Sequence, residues 1–283
     1  MRKVRQYAFF AGSALCATAA FSVLALILGA LLFRGLPAVN WRFLTEHIAL
    51  AGAAGGIFYN LVGTLILIAT TLLVCIPIAL SLGLLCGVYW RHTRWHDRSL
   101  IVLQLLNGVP SILFGIFGFI VFVKLFGWGK SWAAGGILLG LLILPTVTVT
   151  LIDRIEAVPQ QYIEAASGLG LGTSQIIWSV IIPQSLTGLV TGALLGLARA
   201  AGETAPIMYT ATIFAGVTFP AGIRDSPVLS LPYHIFILAQ DSFDPGATQK
   251  LWGAALVLVC LVFVLSSLTL PIRMRIRSTR QAL

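Results

Sequence analysis

Two charged residues, Arg199 and Glu203, lie four positions apart inside a long apolar segment of this chain. In a helix, that spacing puts the two side chains on neighbouring turns, where an arginine and a carboxylate can pair. A charge inside a membrane costs at least about 2.5 kcal/mol on insertion scales, so the pair should face the protein interior. Two compatible roles stay open: a salt bridge that locks helices together, or an arginine, held by Glu203, that attracts an anion.

A second polar group, the segment 107–111, interrupts another apolar stretch. Asn107 and Ser111 flank Gly108 and Pro110, and a proline inside a helix frees a carbonyl group and bends the axis. At membrane depth, such backbone groups must be satisfied by neighbouring helices or by a water-lined cavity. The segment therefore predicts either a packing kink or part of the lining of a pathway.

The elements that must position these residues are membrane-spanning helices. The chain has 283 residues, 58% of them hydrophobic and only 10% charged, and its mean hydropathy is +0.98. A soluble domain of this size does not need so apolar a composition. A helix needs about 20 apolar residues to cross a bilayer, and six segments are long enough: 7–33, 61–89, 100–126, 132–152, 186–215 and 251–272. We predict an all-α integral membrane protein with six transmembrane helices.

The basic residues predict which side of the membrane each end of the chain occupies. They are more numerous at the termini and in the even-numbered connections, and an excess of lysine and arginine marks the cytoplasmic side. The larger set is Arg2, Lys3, Arg5, Arg91, Arg94, Arg98, Arg154, Arg273, Arg275, Arg277 and Arg280; the smaller is Arg34, Arg42, Lys124, Lys130, Arg224 and Lys250. Both termini are therefore predicted to be cytoplasmic. Because these residues flank apolar segments, the net charge of +9 does not indicate nucleic-acid binding.

The fourth connection, residues 153–185, is a semi-polar segment that this orientation places in the cytoplasm. Pro159 can open a helix at its first turn, the glycines near residue 170 permit a sharp break, and Thr173 can cap a second short helix. The predicted helix–turn–helix is amphipathic and would lie at the membrane surface.

The same connection resembles the EAA loop of ABC-importer permeases, which couples them to ATPase subunits. The matching residues are Glu164, Ala165, Ala166, Gly170 and Pro183. In this interpretation the two small alanines let a partner's groove approach the backbone closely, and Glu164 offers a charge at the rim. The alternative is an ordinary cytoplasmic loop that happens to contain Glu-Ala-Ala.

Small residues recur every fourth position in the fifth segment, at Gly188, Gly192, Gly196 and Ala200. Such a row lies on one face of a helix and lets another helix approach closely. The row therefore predicts a tight helix–helix contact beside the charged pair.

No motif in the chain indicates bond chemistry or a resident cofactor. Residues 127–131 imitate the end of a phosphate-binding loop, but Lys124 occupies the place of an earlier required glycine, so we predict no nucleotide site. The histidines are scattered, the cysteines lie in apolar stretches without metal-ligand spacing, and nothing resembles a nucleophile elbow. We predict that the chain is not an enzyme and binds no cofactor or metal of its own.

Several motifs together resemble the inner-membrane permeases of phosphate-specific (Pst) ABC importers, and within them the PstA-like subunits. The motifs are residues 55–57, residues 108–112 with Phe114-Gly115, the loop described above and residues 198–206. The last motif is the most specific. Its Gly-Glu-Thr-Ala-Pro ending, which includes Thr204, resembles the PstA-like half, because the partner half usually has methionine after the threonine.

The resemblance implies a type I importer fold of the MetI-like kind in the bacterial inner membrane. We divide the chain into an anchor helix and first outside connection at 1–54, a permease domain at 55–272 and a basic cytoplasmic tail at 273–283. The implied partners are a second, PstC-like permease, two cytoplasmic ATPase subunits that use ATP, and a phosphate-binding protein outside. The residues expected to line or gate the pathway are Arg199, Glu203, Thr204, Asn107, Pro110 and Ser111.

Other functions stay open from the residues alone. A secondary transporter or channel for an anion could use Arg199 and Glu203 as a proton or ion relay, and would be expected to show inverted repeats and paired broken helices. A noncatalytic scaffold would not require the charged pair. Within the importer interpretation, phosphonate, sulfate or molybdate could replace phosphate, since the residues do not separate these oxyanions.

Overall fold

The fold is a bundle of helices, accompanied by a small two-stranded sheet. The computed structural model describes residues 2–49, 54–214, 216, 219–240 and 245–268. Its helices are α1 (Arg2–Gly35), α2 (Trp41–Thr45), α3 (Phe58–Leu84), α4 (Arg94–Asn107), α5 (Ser111–Gly118), α6 (Trp132–Glu156), α7 (Gln160–Gly168), α8 (Thr173–Ile176), α9 (Ile182–Gly202), α10 (Ala205–Thr210), α11 (Leu231–Gln240) and α12 (Pro245–Leu268).

Shorter elements extend or join these helices. π-Helical turns continue α3, α5 and α8 at Leu85–Tyr89, Phe119–Leu125 and Ile177–Ile181, and a 3-10 turn, Leu36–Ala38, follows α1. The strands β1 (Ile48–Ala49) and β2 (Ala54–Gly55) pair antiparallel, with Ile48 opposite Gly55.

Five stretches of the described chain are helical, long and apolar enough to cross a membrane. They are Phe9–Ala38, Phe58–Tyr89, Trp132–Glu156, Thr173–Gly202 and Gly246–Leu268. A sixth is obtained if α4 and α5 count as one span, although they meet at an angle of 91°. The predicted all-α membrane fold with six spans is confirmed in this sense. The end of the last predicted span and the basic tail lie outside the described residues.

The third predicted span, 100–126, is not a single kinked helix, because the structure breaks it in two. α4 ends at Asn107, and Pro110 is extended (φ −56°, ψ 133°) before α5 begins at Ser111. Pro110 has no N–H group and disfavours helical backbone at Val109, so a regular helix does not pass this point. At 1.5 Å per residue α4 is about 21 Å long, too short to cross a hydrocarbon core of about 30 Å.

The fifth predicted span, 186–215, differs from the observed helix at both ends. The helix begins at Thr173, within the predicted cytoplasmic loop, and ends at Gly202. Glu203 is extended (φ −74°, ψ 125°), and Pro206 lies in the first turn of α10. In a continuous helix the ring of Pro206 would clash with the carbonyl group of Gly202. The prediction of one unbroken helix through residues 203 and 204 is therefore wrong.

The helix α6 occupies the centre of the bundle and packs against α3, α9 and α4. Its side chains Leu138, Ile143, Val147 and Leu151 are fully buried or nearly so. Because interiors are packed as densely as organic crystals, a central helix of this kind holds its neighbours in fixed positions.

The glycine row of α9 makes the predicted close contact with α6. Gly192 lies against Val147, and a Cβ added to this glycine would be 3.0 Å from the Val147 Cα atom. Gly196 lies against Ile143, one turn further towards the start of α6. The contacts run in opposite directions along the two helices, so α9 is antiparallel to α6, and the prediction of a tight small-residue contact is confirmed.

Candidate translocation site and coupling loop

Arg199 lies in a small polar cluster that joins α4, α6 and α9. Its Nη1 donates a hydrogen bond to Asn107 Oδ1 at 2.7 Å, and its Nε donates to Glu203 Oε1 at 3.4 Å. The hydroxyl of Thr146 donates to the same oxygen of Asn107 at 3.2 Å. The predicted pairing of Arg199 with Glu203 is confirmed, and the structure links this pair to the segment 107–111.

The cluster lies near the middle of the bundle. Thr146 is about 21 Å from the start of α6 and about 15 Å from its end, at 1.5 Å per residue. The guanidinium group of Arg199 reaches the same level, because its Nη1 and the Thr146 hydroxyl both donate to Asn107 Oδ1. Within this chain the side chain of Glu203 is 16% exposed and that of Arg199 is 33% exposed. The charges are therefore held by the bundle but are not sealed inside it.

The cluster also lies where two helices are interrupted. Asn107 is the last residue of α4, and Glu203 follows the last residue of α9. Beyond the two breaks, α5 packs closely on α10, since a Cβ added to Gly115 would be 2.9 Å from the carbonyl oxygen of Ala205. Irregular backbone at membrane depth is tolerated where it is buried in protein or lines a cavity. The two breaks and the charges together mark the candidate translocation site.

The guanidinium group of Arg199 has donors to spare for a further ligand. Arginine carries five N–H donors in a planar fork that matches the geometry of carboxylates and phosphates. Two hydrogen bonds, to Asn107 and Glu203, engage it within the described residues. Glu203 balances its charge, so an incoming anion would compete with this carboxylate for the arginine.

Three other residues predicted for the pathway lie next to the cluster. Pro110 forms the break after α4, Ser111 begins α5, and Thr204 precedes α10 with its carbonyl accepting from Met208 N–H at 3.0 Å. Their side chains form no hydrogen bond to Arg199 within the described part of the chain. Their part in the pathway stays a prediction that depends on their position at the two breaks.

Thr146 is the member of the cluster that sequence reasoning missed. The sequence holds one signal that could have found it: Thr146 is a polar residue directly after Pro145, which indicates a bend in the middle of the fourth apolar segment. Threonine is nevertheless common in apolar helices, because its hydroxyl can bond within its own helix. Thr150 does so, donating to the carbonyl oxygen of Thr146 at 2.8 Å. Thr146 differs from it because its hydroxyl donates to Asn107 of the neighbouring helix α4.

The loop between α6 and α9 contains the predicted turn but not two separate short helices. Pro159 precedes α7 (φ −59°, ψ 130°), and Gly170 has a φ of +81°, which glycine adopts without strain. Gly172, and not Thr173, is the cap residue of α8, and its N–H donates to Oε1 of Gln175 at 2.9 Å. The prediction of a threonine cap is therefore wrong by one residue.

The second helix of the loop does not end at Pro183. It continues through the π-helical turn Ile177–Ile181 into α9, where Pro183 occupies the first turn. A regular helix would bring the proline ring against the carbonyl group four residues earlier, and the wider turn before it relieves that contact. α8 is therefore the N-terminal end of the long helix Thr173–Gly202 and not a separate surface helix.

The three residues of the Glu-Ala-Ala motif face different surroundings. Glu164 and Ala165 are exposed, but Ala166 is only 6% exposed and packs in the same apolar cluster as Leu151 and Ile155 of α6. The expectation that both alanines face a partner is corrected for Ala166, because successive helical residues point about 100° apart. Ala166 instead anchors the loop to the bundle.

Sequence reasoning also missed an exposed apolar side chain at the tip of the loop. Leu169 is 83% exposed, and together with Tyr162 and Ala165 it follows the three-and-four spacing of one helix face. We call Tyr162, Ala165 and Leu169 the loop face. An exposed apolar surface with a charge, Glu164, at its edge is typical of a protein–protein contact.

Residues 79–277 match the model of a protein family described as the binding-protein-dependent transport system inner membrane component. The match covers more than half of the chain and includes the cluster, both breaks and the loop. The chain belongs to this family. It is therefore a multi-pass, inner-membrane permease of an ABC importer, and its family is one of permeases and not of enzymes.

Relatives with similar length support the assignment. The phosphate transport system permease protein PstA of Haemophilus influenzae is 30% identical over 231 residues, which cover 82% of the permease and 80% of that protein. The probable phosphate transport system permease protein PstA of Methanocaldococcus jannaschii is 34% identical over 241 residues, which cover 85% and 82%.

A solved structure confirms the predicted fold. A chain of the MetNI methionine ABC transporter, in an inward-facing conformation, superposes with a TM-score of 0.58 at 16% identity and covers 78% of the permease and 97% of that chain. The type I importer fold of the MetI-like kind is therefore shared. An importer permease of this family works with a substrate-binding protein, ATPase subunits and a second permease.

Proposed function

We propose that the permease forms one half of the pathway of an ATP-driven phosphate importer and couples to its ATPases through the 153–185 loop. The observation that carries the proposal is the mid-depth cluster, in which Arg199 is presented by Glu203 and Asn107. The names of the relatives from Haemophilus influenzae and Methanocaldococcus jannaschii support phosphate as the substrate.

The chemistry of the cluster suits transient binding of an oxyanion. Arginine forms bidentate, charge-assisted hydrogen bonds to phosphate, and these are stronger where water is scarce. In the structure Glu203 occupies the place of such an anion at 3.4 Å from Nε. A phosphate that displaces the carboxylate would be held only until Glu203 returns, so the site would bind and release its substrate without a deep energy minimum.

The loop has the mechanical properties that coupling requires. Ile176, Ile177 and Ile181 belong to the apolar cluster that also contains Leu151 of α6, and α8 continues without a break towards α9 and Arg199. A displacement of α7 by an ATPase would therefore reach the cluster through a continuous helix. A packed helix transmits such a displacement better than a flexible coil.

The partners follow from this arrangement. A second, PstC-like permease would complete the pathway, two ATPase subunits would bind the loops and hydrolyse ATP, and a phosphate-binding protein would deliver substrate at the other face. Leu106 of α4 and Leu113 of α5 are exposed near the cluster and suit contact with that second permease. The ATP would be bound by the partners, and this chain would hold no cofactor.

Reconstitution tests the proposal directly. Vesicles would contain the permease with its candidate partner permease, ATPase and phosphate-binding protein, each omitted in turn, and labelled-phosphate uptake would be measured with and without ATP. We expect uptake only when every component and ATP are present. In the complete system, Arg199→Gln should reduce uptake at least tenfold while ATPase assembly is retained, because the anion loses its charge-assisted partner.

A matched control separates the site from a general loss of positive charge. Lys124→Gln removes one exposed cation from the end of the π-helical turn that follows α5 and should leave uptake unchanged. Equal uptake by the Arg199→Gln and unsubstituted proteins would show that the Arg199–Glu203 pair has a purely structural role.

The residues alone left a secondary transporter for an anion open, and the family match argues against it, although the two helix breaks would suit one. Broken helices at mid-depth are common in such transporters, and α4–α5 and α9–α10 are both interrupted here. Uptake by the permease alone, driven by an ion gradient without ATP, would support this function over the importer. Competition of labelled phosphate with sulfate, phosphonate and molybdate in the complete system would test the choice of oxyanion.

A further inference from the structure

One exposed face of α4 changes its chemistry part-way along the helix. Arg94, Arg98, Ile101, Val102 and Leu105 are all exposed, and at 100° per residue they fall within an arc of about 100°. The face is cationic over its first turns and apolar from Ile101 onwards. We call these five residues the α4 face.

The depth of α4 relates this face to one leaflet of the membrane. At the start of the helix, His96 Nε2 lies 3.2 Å from Glu156 Oε1 at the end of α6. At its end, Asn107 meets Thr146 at mid-depth. From Arg94 to Leu105 the helix rises about 16 Å, roughly half of a 30 Å hydrocarbon core. The cationic part therefore lies at the level of lipid headgroups, and the apolar part lies along the acyl chains.

Aromatic side chains support this depth. The rings of Trp90 and Trp95 are 6.1 Å apart, and the guanidinium carbon of Arg98 lies 5.4 Å from the centre of the Trp95 ring. Trp95 is 58% exposed. Tryptophan is enriched where membrane and water meet, so the start of α4 has the composition of an interfacial segment.

Further positive potential surrounds the start of α4. Arg91 borders a cleft of about 350 Å³ between the α3–α4 connection and α7. The hydroxyl of Thr93 donates to the carbonyl group of Trp90 and does not cap α4, so the positive end of the helix dipole stays open to an anion. Asp97 in the first turn of α4 and Glu156 beside His96 offset only part of this charge.

We propose that the α4 face binds an anionic phospholipid. Its phosphate would lie at Arg94 and Arg98, with the open end of α4 nearby, and its acyl chains would lie along Ile101, Val102 and Leu105. The α4 face is cationic at headgroup level and apolar along the rest of one leaflet. This arrangement fits a lipid better than free phosphate, because free phosphate needs no apolar surface. The excess of arginine selects an anionic headgroup over a zwitterionic one.

Native mass spectrometry of the assembled importer in mild detergent tests the proposal. The probes are phosphatidylglycerol and phosphatidylcholine with identical acyl chains, added in equal amounts. We expect the unsubstituted assembly to retain phosphatidylglycerol about thirtyfold better, the combined effect of two arginines near an anionic surface. The double variant Arg94→Gln, Arg98→Gln should lose this preference, and the control Arg42→Gln, Arg224→Gln, which neutralises two exposed arginines elsewhere, should keep it.

Other arms separate the possible sources of the phosphate and the possible occupants. Ile101→Ser with Leu105→Ser should weaken retention of phosphatidylglycerol if the acyl chains contact the face. Complete displacement of the lipid by inorganic phosphate would overturn the proposal in favour of a site for free phosphate. Equal retention of the two lipids by the unsubstituted assembly would also overturn it, whether or not the variants fold. Cross-linking of Arg94→Cys to a partner subunit, without lipid retention, would assign the face to a protein.

Discussion

The mid-depth cluster and the 153–185 loop each lie where one helix ends and the next begins, but different contacts hold the two regions in place. At the cluster, Arg199 makes hydrogen bonds to Asn107 and Glu203 and stays one-third exposed. In the loop, Ala166 is buried among apolar side chains of the bundle. Hydrogen bonds can be exchanged for those of another polar partner at little net cost, whereas close-packed apolar contacts resist displacement. The difference indicates one region that changes partners and another that moves as a rigid piece.

The largest effect is expected from Gly170→Pro, which changes the turn between α7 and α8 in the loop. Gly170 has a φ of +81°, and proline is restricted to about −65°, so the turn between α7 and α8 cannot keep its shape. Phosphate uptake by the reconstituted importer should fall to background while ATP hydrolysis by the assembled ATPases continues.

Gly168→Ala is the matched control for that substitution. Gly168 ends α7, and a Cβ added there meets no atom within 4 Å. This variant should transport normally. Normal transport by Gly170→Pro as well would show that the turn does not carry the coupling.

The next largest effect should come from Glu203→Gln in the mid-depth cluster. Glutamine keeps the size of the side chain but leaves the charge of Arg199 without a counter-ion in partly apolar surroundings. Uptake should fall about tenfold, and the double variant Arg199→Gln, Glu203→Gln should be less impaired than the two separate losses combined, as a double-mutant cycle would measure. Unchanged uptake in the double variant would favour a scaffold.

A smaller effect should separate the two neighbouring alanines of the loop. Ala166→Leu adds bulk to a buried site and should destabilise the permease by about 1 to 3 kcal/mol, measured as a lower thermal unfolding temperature. Ala165→Leu changes the exposed loop face and should leave that temperature unchanged, but should weaken binding of the ATPase. The opposite pattern would mean that Ala165 faces the bundle and Ala166 faces the partner.

The smallest effect is expected from Thr146→Val. The hydroxyl contributes one hydrogen bond to Asn107, and a typical bond of this kind contributes about 1 kcal/mol. Uptake should fall a few-fold, with folding unaffected because valine has nearly the same shape. A loss as large as that from Arg199→Gln would place Thr146 in direct contact with the substrate.

Local patterns predicted much of this arrangement correctly. Apolar length predicted the membrane helices, the i, i+4 spacing predicted the Arg199–Glu203 pair, and the glycine row predicted a close helix–helix contact, although not that its partner is α6. These features depend on residues within a few turns of one another, and helix geometry determines their relative positions.

The largest errors concern where a helix stops. Pro110 and Pro206 coincide with breaks, whereas Pro145 lies inside α6 and Pro183 inside the helix Thr173–Gly202. Neighbouring helices and a π-helical turn can accommodate a proline. Sequence alone does not show which prolines receive that support.

The sequence by itself therefore determined that the chain is an apolar, helical membrane protein with a polar loop, a charge pair within the membrane and a proline-containing polar segment at residues 107–111. Only the tertiary structure decided that Asn107, 92 positions away along the chain, accepts a hydrogen bond from Arg199. It alone decided that Ala166 faces the bundle while Ala165 faces outward. Contacts of this range depend on how all the helices pack at once, because each helix leaves several faces free and packing against its neighbours selects among them.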